Sequence, residues 1–320
     1  RETSPRWVRR PPGRSARPHR GEVSRLGGVA LFVAFMVALG VGQAFRIPTA
    51  DPNEPRRLVG LVLGSLWMFL VGLADDRWDL SPWLQLGAQA IAGGIALATL
   101  IFIERVNNPL TDEVIVFPPL VVGLLTLFWM AGMINTVNWL DGLDGLAVGV
   151  GAILCLVLAV HMHRVGQPSV AILPLALLGA AVGFLPFNFH PARVFMGSTG
   201  AFFLGYALGA LGIIAGARVA TVLLVMGVPI VDVAWQIVDR VRRGRSPAQA
   251  DRGHLHYRLL DLGLSQRTIV LAYWGFCALF GLLALTLSSR LYKLIALLGL
   301  GGVVGGLLML LSRRPPPPDG

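Results

Sequence analysis

Apolar runs of about twenty residues recur along this chain, separated by short polar stretches. A helix needs roughly 20 apolar residues to cross the hydrocarbon core of a bilayer. On that measure the pattern predicts ten spans, at 26–45, 57–74, 84–103, 117–137, 144–162, 169–186, 199–215, 219–238, 268–287 and 292–312. The predicted fold class is all-α, a polytopic membrane helical bundle. The chain starts at Arg1 and not at Met, so some sequence is expected ahead of the first run. Several spans carry small residues suited to close helix packing in lipid, such as Gly93-Gly94 and the Gly205/Gly209 pair.

Composition supports the same class. Charged residues make up 14% of the 320 and hydrophobic ones 55%, against about 25% charged in a soluble domain. Mean hydropathy is +0.69. The expected organisation is a basic segment at 1–25, one membrane domain at 26–312 and a Pro-rich tail at 313–320. The net charge of +10 could signal nucleic acid, but arginine-rich loops in a membrane protein are better explained by the positive-inside rule. With ten spans, the loops at 75–83, 138–143, 187–198 and 239–267 share a side with both chain ends. That side holds nineteen of the 27 Lys and Arg, which predicts that it is cytoplasmic. Cys155 and Cys277 lie inside apolar runs and suggest neither a disulfide framework nor a zinc site.

The chemistry-bearing residues fall in that same set of loops. Burying a bare carboxylate in hydrocarbon costs several kcal/mol, so acids at membrane edges face water, a metal or a substrate. Asp75 and Asp76 close one span. Adjacent helical positions point about 100° apart, so one acid can meet a reactant while the other orients its neighbours. The bland alternative is a solvated helix end. Asn135, Asn138, Asp141 and Asp144 recur at near-helical spacing, and on a continuous helix all four line one groove. Their oxygens are the hard donors that Mg²⁺ prefers. Helix capping by Asn and Asp is the alternative.

Two further clusters follow. Gly197-Ser198-Thr199-Gly200 opens a helix after Arg193, and a helix start built of small residues suits an anion; ordinary capping by Ser198 or Thr199 is the competing reading. His254, His256 and Arg258 alternate, which puts both rings and the guanidinium on one side of an extended segment, fit for a diphosphate. A zinc site and a solvated basic loop are the alternatives. His161, His163 and His190 carry no signal in their spacing. Trp67, Trp78, Trp83, Trp129 and Trp139 read as interfacial anchors.

Taken in order, Asp75-Asp76, the Asn135–Ala147 segment, Phe187-Asn188 through Phe195-Met196-Gly197, and His254-x-His256 resemble the polyprenyl-phosphate N-acetylhexosamine-1-phosphate transferases. The segment from His19 to Gly28 is similar to the family's first cytoplasmic motif, with Arg17 nearest to its early basic residue. The His-x-His form looks more like the undecaprenyl-phosphate GlcNAc-1-phosphate branch. The resemblance covers nearly the whole chain.

It implies a multi-pass protein of the plasma membrane with its site on the cytoplasmic side. The activity implied is transfer of HexNAc-1-phosphate, with GlcNAc the first candidate, from a UDP-sugar to polyprenyl phosphate. UMP is released, and the product begins a lipid-linked glycan or cell-wall polymer. The implied cofactor is Mg²⁺, or Mn²⁺, held by Asn138 and by the residue at 198. Asp75 would deprotonate or position the lipid phosphate beside Asp76. Asp141 and Asp144 would orient nucleotide and loop. Asn135, His19, Arg193, His254, His256 and Arg258 would bind substrate.

Two positions depart from the pattern. The family carries an Asp ligand where Ser198 stands, which implies weaker metal binding and reduced turnover. Tyr257 replaces a frequent His. A family-derived protein that binds UDP-sugar or lipid phosphate without turnover is therefore a second expectation. A transporter is a third, and it would place polar residues at mid-span and show inverted repeats. The partners expected are a UDP-N-acetylhexosamine, the lipid phosphate and the membrane, with no nucleic acid; a homodimer is left open.

Overall fold

The computed structural model describes residues 26–45, 47–49, 51–216, 219–244 and 253–312. Arg17, His19, the segment 1–25 and the tail 313–320 lie outside the described residues. The helices are α1 (Gly27–Ala44), α2 (Glu54–Trp78), α3 (Pro82–Ala98), α4 (Pro119–Leu140), α5 (Leu146–Arg164), α6 (Pro168–Asn188), α7 (Gly197–Ile214), α8 (Val219–Val225), α9 (Gly227–Arg242), α10 (Leu255–Asp261), α11 (Gln266–Thr286) and α12 (Arg290–Ser312). Between α3 and α4 a short antiparallel hairpin pairs β1 (Arg105–Asn107) with β2 (Val114–Val116), Val106 opposite Ile115. The all-α bundle stands, with this hairpin added.

Ten straight spans do not form. Among the described residues, eight helices of 18 residues or more are apolar enough to cross a membrane, and α3, at 17 residues, is near the lower length of a span. The run at 219–238 breaks into α8 and α9, which meet at 82°. The reason is polar patterning inside the run. Asp232, Gln236 and Arg240, spaced i, i+4, i+8, share one buried face of α9. Continued as a straight span, that face would have no polar partner in hydrocarbon. Turned at Met226, it packs inward, while Val238 and Val241 remain exposed on the outside.

The core is built around α7, where every residue from Thr199 to Ile214 is buried. A Cβ on Gly205 would lie 2.6 Å from the Ile134 Cα, so α4 and α7 meet backbone to backbone. Gly209 lies on the same seam, against Met133, and its carbonyl accepts from Trp129 Nε1 at 3.0 Å. Trp129 is thus a core residue and not an interfacial anchor. Phe203 of α7 meets Phe32 of α1 edge to face at 5.2 Å. Large apolar side chains such as Phe128, Leu298 and Leu310 cover the outside, as lipid requires.

Contacts between loops sort the bundle into two ends. At one end Ser169 donates to Glu54, Arg164 donates to the Leu285 carbonyl, and Arg290 pairs with Asp112. At the other lie the C-termini of α2 and α4, the N-terminus of α7, and α10.

Candidate active site

The floor of the site is the junction of α2 and α7. Asp76 Oδ1 accepts the Ser198 N–H at 3.0 Å. Its Oδ2 accepts the Thr199 N–H at 2.9 Å and the Thr199 hydroxyl at 2.6 Å. The helix start expected to hold an anion therefore holds an internal carboxylate, and the cap comes from α2, not from Ser198 or Thr199 themselves. Gly72 makes this approach feasible, since a Cβ there would sit 2.5 Å from the Ser198 carbonyl oxygen. Asp75 points elsewhere, as adjacent helical acids must. Its Oδ1 accepts from Gln85 Nε2 at 2.8 Å and from the Leu80 N–H at 3.1 Å, and the Ser198 side chain hydrogen-bonds the same carboxylate.

The segment 135–145 is not one helical groove. Helix α4 stops at Leu140, Asp141 caps its C-terminus, and the loop ends at Gly145 with φ +80°. The four polar residues consequently separate. The Asn135 amide is engaged inside the α3–α4 seam, donating to Gln89 Oε1 at 2.8 Å and to the Ala131 carbonyl at 2.9 Å while accepting from Gln89 Nε2 at 3.1 Å. It is not brought to the other site residues. Asn138, on the last turn of α4, is half-buried and has no hydrogen-bond partner among the described residues. Asp141 and Asp144 are buried. Asp144 Oδ2 accepts the Ala192 N–H at 3.2 Å and lies 3.0 Å from His190 Nδ1. Asn188 accepts the Gly145 N–H at 3.1 Å and donates to the Val194 carbonyl at 3.0 Å. These bonds tie the α4–α5 loop to the α6–α7 loop. Arg193 stands exposed at the rim.

The His-x-His cluster forms the opposite wall. It is not extended, since α10 begins at Leu255 and His254 occupies its N-cap position. The two rings still stack, 5.6 Å apart and 11° from parallel. Arg258 turns back to donate to the Gly253 carbonyl at 2.6 Å. His256 is fully buried, and neither ring nitrogen has a partner among the described residues. Burial lowers its pKa to about 3 from an ordinary 6.5, against the opposing pull of Asp232. The ring is neutral at neutral pH. Below pH 6.5 the unfolded chain takes up a proton that this ring refuses. Its contribution to stability is thus complete above pH 6.5 and is lost as the pH falls toward 3.

His256 and Tyr257 seat on the Asp141–Gly145 loop. A Cβ on Gly142 would lie 2.5 Å from His256 Nε2 and 2.7 Å from the Tyr257 hydroxyl. Trp139, expected as an anchor, packs against His254 with the rings 5.7 Å apart and tilted by 47°, and lies under the Arg240 guanidinium at 5.5 Å.

Several residues of the site escaped the sequence reading. Asp232 lies 3.0 Å from His254 Nδ1; its one signal was a carboxylate inside an apolar run. Gln85 and His190 reach the two key carboxylates from neighbouring elements, and no local spacing announces that.

The donor set can be compared with the divalent ion that the sequence motifs imply. No group of three or more His, Cys, Asp or Glu capable of holding a metal occurs among the described residues. One carboxylate (Asp75), the Ser198 hydroxyl and the unengaged Asn138 amide are hard oxygen donors. They suit Mg²⁺, which is commonly bound by one or two carboxylates with waters and substrate phosphates, and not by an all-protein cage.

Comparison with known proteins supplies the family. The profile of glycosyl transferase family 4 matches residues 58–216. A decaprenyl-phosphate N-acetylglucosaminephosphotransferase of Mycolicibacterium smegmatis is 35% identical over 285 residues, covering 77% of this chain and 67% of the relative. A phospho-N-acetylmuramoyl-pentapeptide-transferase of Halalkalibacterium halodurans is 30% identical over 281 residues, 82% of each chain. A probable undecaprenyl-phosphate N-acetylglucosaminyl 1-phosphate transferase of Bacillus subtilis is 28% identical over 271 residues, 83% of this chain and 73% of the relative. On these matches, this chain belongs to glycosyl transferase family 4.

Proposed function

We propose that this protein transfers HexNAc-1-phosphate, GlcNAc-1-phosphate in the first instance, from a UDP-sugar to a polyprenyl phosphate at the cytoplasmic face of the plasma membrane. The observation that carries the reading is that Asp75 and Ser198, the Asn138–Asp144 loop and His254 belong to elements that end on the same side of the bundle. The names of the relatives supply the substrate classes.

In this reading an oxygen of the lipid phosphate bonds to the sugar-side phosphorus, the bridging P–O bond breaks, and UMP leaves with the electron pair. Asp75 positions the lipid phosphate and accepts its proton when one is present. Gln85 and Leu80 hold one carboxylate oxygen, which fixes the direction of the other. His254 and Arg258 hold the diphosphate, and Asp141 and Asp144 keep the loop in place for the nucleotide. Asn138 and Ser198 would hold Mg²⁺ or Mn²⁺, which when bound neutralises diphosphate charge.

The test is a panel of UDP-sugars offered to the purified protein with undecaprenyl phosphate and Mg²⁺. Radiolabelled lipid-linked product and free UMP are expected from UDP-GlcNAc. Absence of product from every sugar, with Mg²⁺ and with Mn²⁺ in its place, would overturn the assignment.

Ser198 favours a second reading, that of a binder with little turnover. Ser198→Asp separates the two. A carboxylate added beside Asp75 and Asp76 repels both and strengthens cation binding; at a few ångströms such a charge is worth about 4 kcal/mol near a protein surface. The variant should bind Mg²⁺ at least about tenfold more tightly by calorimetry, since each 1.4 kcal/mol is tenfold. Its melting temperature should become Mg²⁺-dependent, and transfer should rise. Unchanged metal affinity would remove Ser198 from the metal site.

A further inference from the structure

We propose that Asp232, on the bent helix α9, is a positioning residue that holds the His254 ring toward the substrate diphosphate and locks α10 onto the site. The inference rests on the diphosphate-binding role proposed above for His254.

Four contacts from one face of α9 carry it. Asp232 Oδ2 lies 3.0 Å from His254 Nδ1. Asp232 Oδ1 accepts the Leu255 N–H at 2.9 Å, capping the start of α10. One turn on, Gln236 donates to the Gly253 carbonyl. A further turn on, the Arg240 guanidinium covers the Trp139 ring, which packs against His254. Asp232, Gln236 and Arg240 are all buried, at 4%, 1% and 3% exposure. Such a face on a helix that would otherwise run through lipid is costly unless each group is used. The bend at Met226 is what lets this face reach α10.

The chemistry follows from the partners. An ionised carboxylate can only accept, so Nδ1 of His254 carries the proton and Nε2 is the free end of the ring. When Nε2 is protonated as well, it donates to a phosphate oxygen from a ring whose orientation Asp232 has fixed. Asparagine at 232 would keep the Leu255 cap through its carbonyl oxygen. It would present an N–H to Nδ1, reversing the tautomer and removing the charge while the backbone stays in place.

The experiment combines a spectroscopic and a kinetic readout on the full chain in detergent. In ¹⁵N-histidine spectra, with His254 assigned through His254→Gln, the wild type should show a protonated Nδ1 and Asp232→Asn should lose it. Outer partners of a functional imidazole cost about 10–100-fold when removed. The KM for UDP-GlcNAc in Asp232→Asn should therefore rise by about 10–100-fold, with the KM for polyprenyl phosphate unchanged and recovery in Asp232→Glu. In a His254→Ala background, Asp232→Asn should add nothing further, as expected of residues that act through each other. An unchanged His254 spectrum, or full additivity in the double variant, would overturn the proposal. Absence of transfer in the wild type would count against the proposed function, while the His254 spectrum still decides this inference.

Discussion

Gly142→Val should reduce sugar-phosphate transfer by at least about 100-fold with the helical bundle intact. The position has an ordinary backbone conformation, so the effect is purely one of contact. A Cβ would meet His256 Nε2 at 2.5 Å, the Tyr257 hydroxyl at 2.7 Å and Tyr257 Cζ at 3.0 Å. Neither residue has room to retreat, because both are buried and Asp232 holds the start of α10 from the far side. Over-packing of this kind costs about 1–3 kcal/mol. The larger consequence is displacement of His254 and Arg258, since a shift of about 1 Å at a positioning group can cost 100-fold in rate. A melting temperature within a few degrees of wild type, measured beside the transfer assay, separates the two effects. Adding His256→Ala should relieve the clash and return part of the activity. Full activity in Gly142→Val would show that α10 does not rest on this loop during turnover.

Asp76→Ala should be the most destabilising single change at the site. The carboxylate accepts the Ser198 N–H, the Thr199 N–H and the Thr199 hydroxyl. Hydrogen bonds to a charged group are worth about 1.5–3 kcal/mol each, and an orphaned donor pays its desolvation besides. Some of this returns as water reaches the half-buried helix end, so a loss of about 2–4 kcal/mol is expected. Chemical denaturation in detergent should register it as a lower midpoint with an unchanged slope. Asp76→Asn, which keeps one good acceptor, should fall between. Asp75→Asn should leave the midpoint nearly unmoved and act on transfer instead, because Asp75 spends one oxygen on Gln85 and Leu80 but does not cap a core helix. Equal destabilisation by both changes would contradict this division of labour between neighbouring acids.

Much of the architecture was legible from the chain because lipid imposes a simple rule. Nine of the ten apolar runs became single helices, and the acidic pair and the His-x-His cluster lie at one end of the bundle. The run at 219–238 fails that rule for a definite reason. Averaged over a window it is apolar, but Asp232, Gln236 and Arg240 fall on one face, and a window average is blind to direction.

The site was legible as a set of residue types and only partly as an arrangement. Asp75, Asp76, Asn138, Asp144 and His254 could be singled out because polar groups at a membrane edge are expensive and therefore conspicuous. Their division of roles could not. Asp76 caps α7 and Asp75 does not, because α7 starts against α2 at Gly72. Asn135 belongs to Gln89 because α3 and α4 pack there, and Asp144 meets His190 because two loops close on each other. Sequence alone determined the class, the membrane habit and the chemical vocabulary, through hydropathy and residue type, which are properties of each position taken separately. Tertiary structure decided which carboxylate caps, which imidazole is buried and neutral, and which is held by Asp232, because hydrogen-bond partners and burial depend on segments distant along the chain.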